Sequence, residues 1–150
     1  MIKSARQFVE LRTSTERNDY LRAANENAPL KVWMDVIRRH PAMRPWVANN
    51  KTVQMTVLNK LAHDSDPAVR MAVAIKNKLN SNLFARLAKD PDSRVRIAII
   101  NNRSAPLGIL AKLCDDECEV VRRNARSRLA ELQHADSESE RASLAGAVRK

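Results

Sequence analysis

The sequence predicts an all-α protein, namely a right-handed α-solenoid of short helix pairs with a period of about 26 residues. A leucine recurs at this interval, as Leu61, Leu87 and Leu113. Apolar residues around each leucine follow helical spacing rather than the alternation typical of strands. Only 2 of 150 residues are glycine and 3% are aromatic, whereas strands favour aromatic and β-branched residues.

The 26-residue interval links several columns of residues. The aligned units read Leu-Ala-His-Asp, Leu-Ala-Lys-Asp and Leu-Cys-Asp-Asp, each followed by a Val-Arg pair. Less faithful copies extend towards the N-terminus, where Pro41 and Arg44 match Pro67 and Arg70. Isolated helices of this length are marginal in water, so we expect neighbouring units to stack and bury a shared core.

Each unit is predicted to hold two helices. The first carries an apolar stripe such as Leu83, Phe84 and Leu87. The second is expected to begin at Asp66-Pro67, with aspartate as N-cap and proline at the first helical position. Asp92 is expected to cap the equivalent helix in the next unit.

Two further signals concern the ends of the second helices. Asparagine pairs at 49–50 and 101–102 are expected to end helices in the left-handed conformation, which asparagine tolerates. Pro45 predicts that the second helix of its unit starts late or is distorted. Trp46 occupies the column of Ala72 and Ala98, so we expect it to cap the core, with ligand stacking as the alternative.

The repeat covers most of the chain. Residues 1–130 are predicted to form a single repeat domain whose first unit is degenerate, as terminal units often are. Residues 131–150 lose the pattern. They are expected to form a C-terminal cap or a mobile tail.

These repeats resemble a known class. Leu-Ala-x-Asp followed by Val-Arg-x-Ala resembles HEAT-like repeats, and residues 87–98 look most like the variant leucine-rich repeats of bacteria. The resemblance covers about residues 35–129 and implies architecture rather than function. Some proteins of the variant class carry a cysteine-rich iron–sulfur segment before the repeats. This chain has no cysteine before Cys114, so that feature is not carried over.

Composition limits the function classes. The net charge is +10 and belongs to the body of the chain, since residues 130–150 alone are slightly acidic. No apolar signal region and no run of about 18 apolar residues occur, so we expect a cytoplasmic protein with no membrane partner. Cys114 aligns with Ala62 and Ala88, which favours a small packed residue over a metal ligand. No catalytic or phosphate-loop pattern is present, so the sequence predicts a non-enzymatic protein without cofactor or metal.

The candidate partner-binding residues are basic or amide side chains in two rows. An acidic protein is the favoured partner. The alternative is nucleic acid, bound without sequence specificity. The competing interpretation for the arginine column is an internal ladder with the acidic turns. Lys51, Asn77 and Arg103 each follow a column arginine by seven residues, which places them two turns later on the same face. The full set is Arg44, Lys51, Arg70, Asn77, Arg96, Arg103, Arg122 and Arg126.

Overall fold

The computed structural model describes the backbone of residues 1–147 and the side chains of residues 1–135. The protein is all-α: within the described residues there are ten α-helices, one 3₁₀ turn (Pro41–Met43) and no strand. The helices are α1 (Ala5–Thr13), α2 (Arg17–Asn25), α3 (Leu30–Arg39), α4 (Arg44–Asn49), α5 (Met55–Leu61), α6 (Pro67–Ala74), α7 (Ser81–Leu87), α8 (Ser93–Ile100), α9 (Leu107–Leu113) and α10 (Glu119–Ala147).

The predicted helix starts are confirmed where a side chain caps the helix. Asp66 accepts a hydrogen bond from the Ala68 backbone N–H at 2.8 Å, and α6 begins at Pro67. Asp92 caps α8 in the same way. These caps satisfy backbone donors that the first helical turn leaves unpaired.

The expectation about the asparagine pairs is wrong. No non-glycine residue in the described part of the chain has a positive φ, and Asn50 has a φ of −58°. Asn50 and Asn102 are buried, and their side chains bond to carbonyl groups of the preceding unit. Tertiary hydrogen bonding, rather than left-handed backbone, explains these residues.

The helix after Pro41 starts late, as Pro45 predicts. Pro41 occupies the position equivalent to Pro67, but a 3₁₀ turn precedes α4, which begins at Arg44. Proline in the first turn lacks an N–H that would be unpaired there in any case. The unit therefore keeps a second helix, shortened to 6 residues.

The packing places the even-numbered helices α4, α6, α8 and α10 side by side. We call these the second helices, and α3, α5, α7 and α9 the first helices. The helices α5, α7 and α9 begin at Met55, Ser81 and Leu107, at intervals of 26 residues. The core between the helices is aliphatic apart from Phe84 of α7, and its largest fully buried members include Leu61, Leu83, Leu87, Ile99, Ile100 and Leu110.

The N-terminal end of the core is aromatic. Helix α1 packs against α2 and α3, and the rings of Phe8 and Trp33 meet edge to face with centroids 5.2 Å apart. Both side chains are fully buried. This pair closes the core at the end where the repeat is degenerate.

The predicted boundary between residues 130 and 131 falls inside α10, which continues as a helix to Ala147. Residues 148–150 of the predicted cap or tail lie outside the described residues. None of the helices in the described part combines the length and apolar character that crossing a lipid bilayer requires.

The burial of the leucine column gives a direct test of the packing. Leu87 is fully buried, so Leu87→Ala should lower the free energy of unfolding by about 2–5 kcal/mol. Leu107 is 58% exposed, and Leu107→Ala should change that free energy by less than about 0.5 kcal/mol. Urea unfolding measures both, and equal effects would contradict the packing.

Candidate binding surface

The arginine column forms ion pairs with aspartates 20 residues further along the chain. Arg70 donates from Nε and Nη2 to the two carboxylate oxygens of Asp90, at 2.7 and 2.9 Å. Arg96 makes the same bidentate pair with Asp116, at 2.8 Å for both contacts. Arg44 lies 3.4 Å from Asp64. We call this set of pairs the arginine ladder.

Further hydrogen bonds join the pairs into one network. Arg96 Nη1 donates to the carbonyl of Asp90, six residues earlier, at 2.7 Å. Arg70 bonds in the same way to the carbonyl of Asp64. The Asp90 carboxylate also accepts the backbone N–H of Asp92, which holds the turn before α8. Each inner aspartate therefore contacts one arginine through its side chain and the next through its backbone.

Burial makes the ladder electrostatically significant. Arg70 and Arg96 are only 8% and 5% exposed. Burial alone would raise the pKa of Asp116, but the hydrogen bonds from Arg96 and from the Cys118 backbone hold that pKa below its ordinary value. A carboxyl group with a lowered folded pKa stabilises the fold above its unfolded pKa, and this contribution is lost as the pH falls through the folded pKa.

The ladder interpretation agrees with the geometry of Arg70 and Arg96. Both were partner-binding candidates, but their guanidinium groups are buried and hydrogen-bonded within the protein, so we leave them out of the candidate surface. Arg44 is half-buried and shares the ladder. Arg122 is half-buried and bonds to the carbonyls of Asp116 and Glu117.

The second predicted row does not share a face with the arginine column. Helices α4, α6 and α8 end at Asn49, Ala74 and Ile100, so Lys51, Asn77 and Arg103 lie in the turns beyond the helix ends. Side chains on a helix lean towards its N-terminus. The ladder therefore lies near the start of the second helices, and the row lies past their C-terminal ends.

The C-terminal ends of the second helices are linked by a column that the sequence reasoning missed. Asn50 donates its side-chain N–H groups to the carbonyls of Ala23 and Glu26, each at 2.9 Å. Asn102 donates to those of Ala74 and Lys76. Lys76 takes the intermediate position and donates from Nζ to the Asn50 carbonyl at 2.7 Å. The sequence signal for this column is that Asn50 and Asn102 are separated by two periods of 26 residues.

We define the C-terminal edge as the turns that follow the second helices, residues 49–54, 75–80 and 101–106. These segments contain no aspartate or glutamate. The predicted candidates Lys51, Asn77 and Arg103 are exposed there, and so is Lys78. Within the described residues, no carboxylate lies within ion-pair distance of Lys51, Lys78 or Arg103.

We define the ladder edge as the turns between first and second helices, residues 63–66, 89–92 and 115–118. This edge carries the ladder aspartates and the exposed acidic residues Asp66, Asp115 and Glu117. The two edges therefore differ in charge: the acidic turns lie at the start of the second helices, and uncompensated cations lie at their end.

Arg126 does not join the C-terminal edge. A groove beside Arg103 is lined by Asn124, Ser127, Arg128 and Glu131 of α10. Arg126 follows Asn124 by two positions, which rotates it about 160° away around the helix. Its Nη2 instead donates to the carbonyl of Cys114 at 3.0 Å. Spacing along the chain could not predict this because the face of α10 is fixed by its packing.

Trp46 is a surface residue rather than a core cap. It is 37% exposed, and the Arg12 guanidinium lies 3.4 Å from its ring centroid. The same guanidinium lies 4.6 Å from the ring of Tyr20. Arg12 thus covers one face of Trp46, so a ligand stacking on that face would have to displace a cation–π contact.

Cys118 lies in the ladder edge, and Cys114 immediately precedes it. Cys114 is half-buried, and its Sγ donates to the Leu110 carbonyl at 3.5 Å. Cys118 is also a free, half-buried thiol. Among the described residues, no group of three or more His, Cys, Asp or Glu side chains is arranged to hold a metal ion.

In comparisons with protein-family models, with curated proteins and with solved structures, nothing matches this chain. The charge difference between the two edges is therefore the main observation from which a function is inferred.

The ladder predicts unequal effects for two neighbouring arginines. Arg96→Met leaves Asp116 buried without its counter-charge and should lower the free energy of unfolding by about 3–5 kcal/mol. Arg94 pairs with Asp92 but its side chain is 71% exposed, so solvent screens the pair and Arg94→Met should lower the free energy of unfolding far less than Arg96→Met does. Chemical denaturation gives both values, and similar losses for the two variants would refute a structural role for the ladder.

Proposed function

We propose that this protein is a non-enzymatic binding module that engages an acidic protein partner through its C-terminal edge. Its helix pairs stack as a right-handed α-solenoid with a period of about 26 residues, of the HEAT-like or bacterial variant leucine-rich type. The module acts in the cytoplasm without cofactor or metal.

One observation carries this proposal, namely that the three turns of the C-terminal edge hold cations and no aspartate or glutamate. Lys51, Lys78 and Arg103 are exposed, and no carboxylate of the described residues neutralises them. Exposed charges of one sign attract a partner of opposite sign over roughly a Debye length, about 8 Å at physiological salt. Such complementarity raises the association rate and suppresses wrongly charged partners.

Neighbouring apolar side chains favour a protein partner over nucleic acid. Ile75, at the end of α6, is 54% exposed, and Met71 one turn earlier is 40% exposed. Aliphatic side chains gain stabilisation from apolar groups of a protein, whereas a phosphate backbone offers them none. No aromatic residue occurs in residues 49–54, 75–80 or 101–106, so base stacking on a single strand has no platform there.

Nucleic acid is the second candidate because the cations alone would also attract phosphates. Binding to a duplex would need only charge, and its log affinity would fall linearly with log salt. Binding to an acidic protein would keep a salt-resistant component from apolar contacts.

The proposal is tested with a triple variant, Lys51→Gln, Lys78→Gln and Arg103→Gln. Wild-type protein immobilised on resin and exposed to nuclease-treated extract of its own cells should retain an acidic protein. The triple variant should lose at least about 90% of that protein, because the long-range attraction is removed. Its melting temperature should stay unchanged, since surface substitutions of this kind alter stability little.

The matched control carries Lys60→Gln, Lys89→Gln and Lys112→Gln. These lysines are also exposed but lie on or just after the first helices, so the net charge changes equally while the C-terminal edge stays intact. The control should retain the partner. A 20-base-pair duplex bound tighter than about micromolar near physiological salt by the wild type, and not by the triple variant, would replace the protein partner with nucleic acid.

A further inference from the structure

We propose that the groove between the C-terminal ends of α4 and α6 is a docking site for a short acidic segment of the protein partner. A carboxylate of that segment meets Lys51 and Lys76, and an adjacent apolar side chain covers Ile75. The inference rests on the proposed function and specifies which part of the edge recognises the partner and what chemistry it recognises.

The groove combines cations with one aliphatic side chain. Its lining consists of Asn49, Lys51, Ile75, Lys76, Asn77 and Lys78. Three lysines thus surround a half-exposed isoleucine. This arrangement fits a ligand that carries a negative charge and an apolar group side by side.

Lys76 is held ready to bind an anion. Its Nζ is fixed by the Asn50 carbonyl at 2.7 Å, which uses one of the three N–H donors of an ammonium group. Because the Lys76 side chain is already immobilised in the free protein, less side-chain entropy is lost when its remaining N–H donors bind a ligand. The backbone of Lys51, the second lysine of the groove, is held by its N–H, which donates to the Ala24 carbonyl at 2.8 Å.

Lys51 lies close enough to Lys76 to disfavour the charge of the Lys76 ammonium group. Burial first, and then the charge of Lys51, lower the pKa of the Lys76 ammonium below its ordinary value. No carboxylate of the described residues lies within ion-pair distance of Lys76. A bound carboxylate would offset both the burial and the repulsion.

Ile75 distinguishes a peptide from a simple anion. In the next unit the equivalent position is Asn101, so the repeat does not require an apolar residue there. An exposed isoleucine beside two cations is covered by the side chain of a peptide but not by a phosphate. The observations therefore favour an acidic, partly apolar segment over a nucleic-acid backbone.

The groove between the C-terminal end of α8 and helix α10 differs in that a carboxylate also lines it. It contains Arg103, but the carboxylate of Glu131 also lines it and lies 3.2 Å from Arg128. Part of its positive charge is therefore neutralised within the protein. The groove at α4 and α6 is the better anion site of the two.

The experiment uses the full-length protein and a capped peptide of sequence Gly-Glu-Leu-Glu-Gly, followed by amide chemical shifts in NMR at low salt. We expect shifts concentrated at residues 49–51 and 75–78, and a rise in the pKa of Lys76 when peptide is present. Ile75→Asn and Lys51→Gln should each weaken peptide binding by about fivefold. Replacing the peptide leucine by asparagine should weaken wild-type binding equally and leave the affinity of Ile75→Asn unchanged.

Two control variants keep the result specific. Leu107→Asn and Lys112→Gln change an exposed leucine and an exposed lysine on α9, and both should bind the peptide as the wild type does. The inference is overturned if the controls lose as much affinity, if the shifts fall elsewhere, or if no shift occurs at millimolar peptide. It is also overturned if 12-base-pair duplex DNA shifts the same residues and Ile75→Asn leaves DNA binding intact, or if the shifts depend on protein concentration without peptide.

Failure of the groove and failure of the proposed function give different results. If the peptide does not bind but the edge triple variant still loses its captured protein, the partner binds the edge elsewhere and only the groove is rejected. If the triple variant also keeps the captured protein, the proposed function is rejected as well.

Discussion

The pairing of each ladder arginine with an aspartate 20 residues later constrains the whole repeat. A buried guanidinium is costly unless its donors are satisfied and its charge is compensated. Arg70 and Arg96 meet both conditions, since each bonds to one carboxylate and to backbone carbonyls. A shift of one second helix against the next would leave these groups unpaired. The ladder therefore fixes the register between neighbouring units.

The ladder also determines which charged side chains keep no ion-pair partner within the described part of the protein. Its aspartates form ion pairs with buried arginines beside the start of the second helices. The turns at the opposite ends of these helices contain cations and no acidic residue. These turns hold four basic side chains, Lys51, Lys76, Lys78 and Arg103, and none has a carboxylate within ion-pair distance among the described residues. Acidic residues thus lie at the start of the second helices and cations lie in the turns after them. The same arrangement supplies the ladder and the surface proposed for binding.

Local signals made much of the fold predictable. Asp66 and Asp92 cap their helices within a few residues, so the sequence alone identifies both starts. The buried leucine column follows from helical spacing. Asn50 was misassigned because its side chain bonds to carbonyls 24 and 27 residues away, and no local rule reports such a partner.

The candidate site was only partly predictable for the same reason. The sequence indicated that an arginine ladder or a binding row was present, but deciding between them required the burial of Arg70 and Arg96. Lys51 and Arg103 were identified, although the helices end before reaching them. Lys76 was missed because its importance comes from its bond to the Asn50 carbonyl and its closeness to Lys51.

Hydrogen exchange of the arginine side chains tests the central claim most directly. The Nε–H groups of Arg70 and Arg96 are visible to nitrogen-15 NMR and lie in the buried pairs with Asp90 and Asp116. We predict that both exchange with solvent only through large-scale unfolding, at rates matching the most protected core amides. Arg103, exposed on the C-terminal edge, should exchange quickly. Equal, rapid exchange of all three groups would contradict an internal ladder that fixes the register of the repeat.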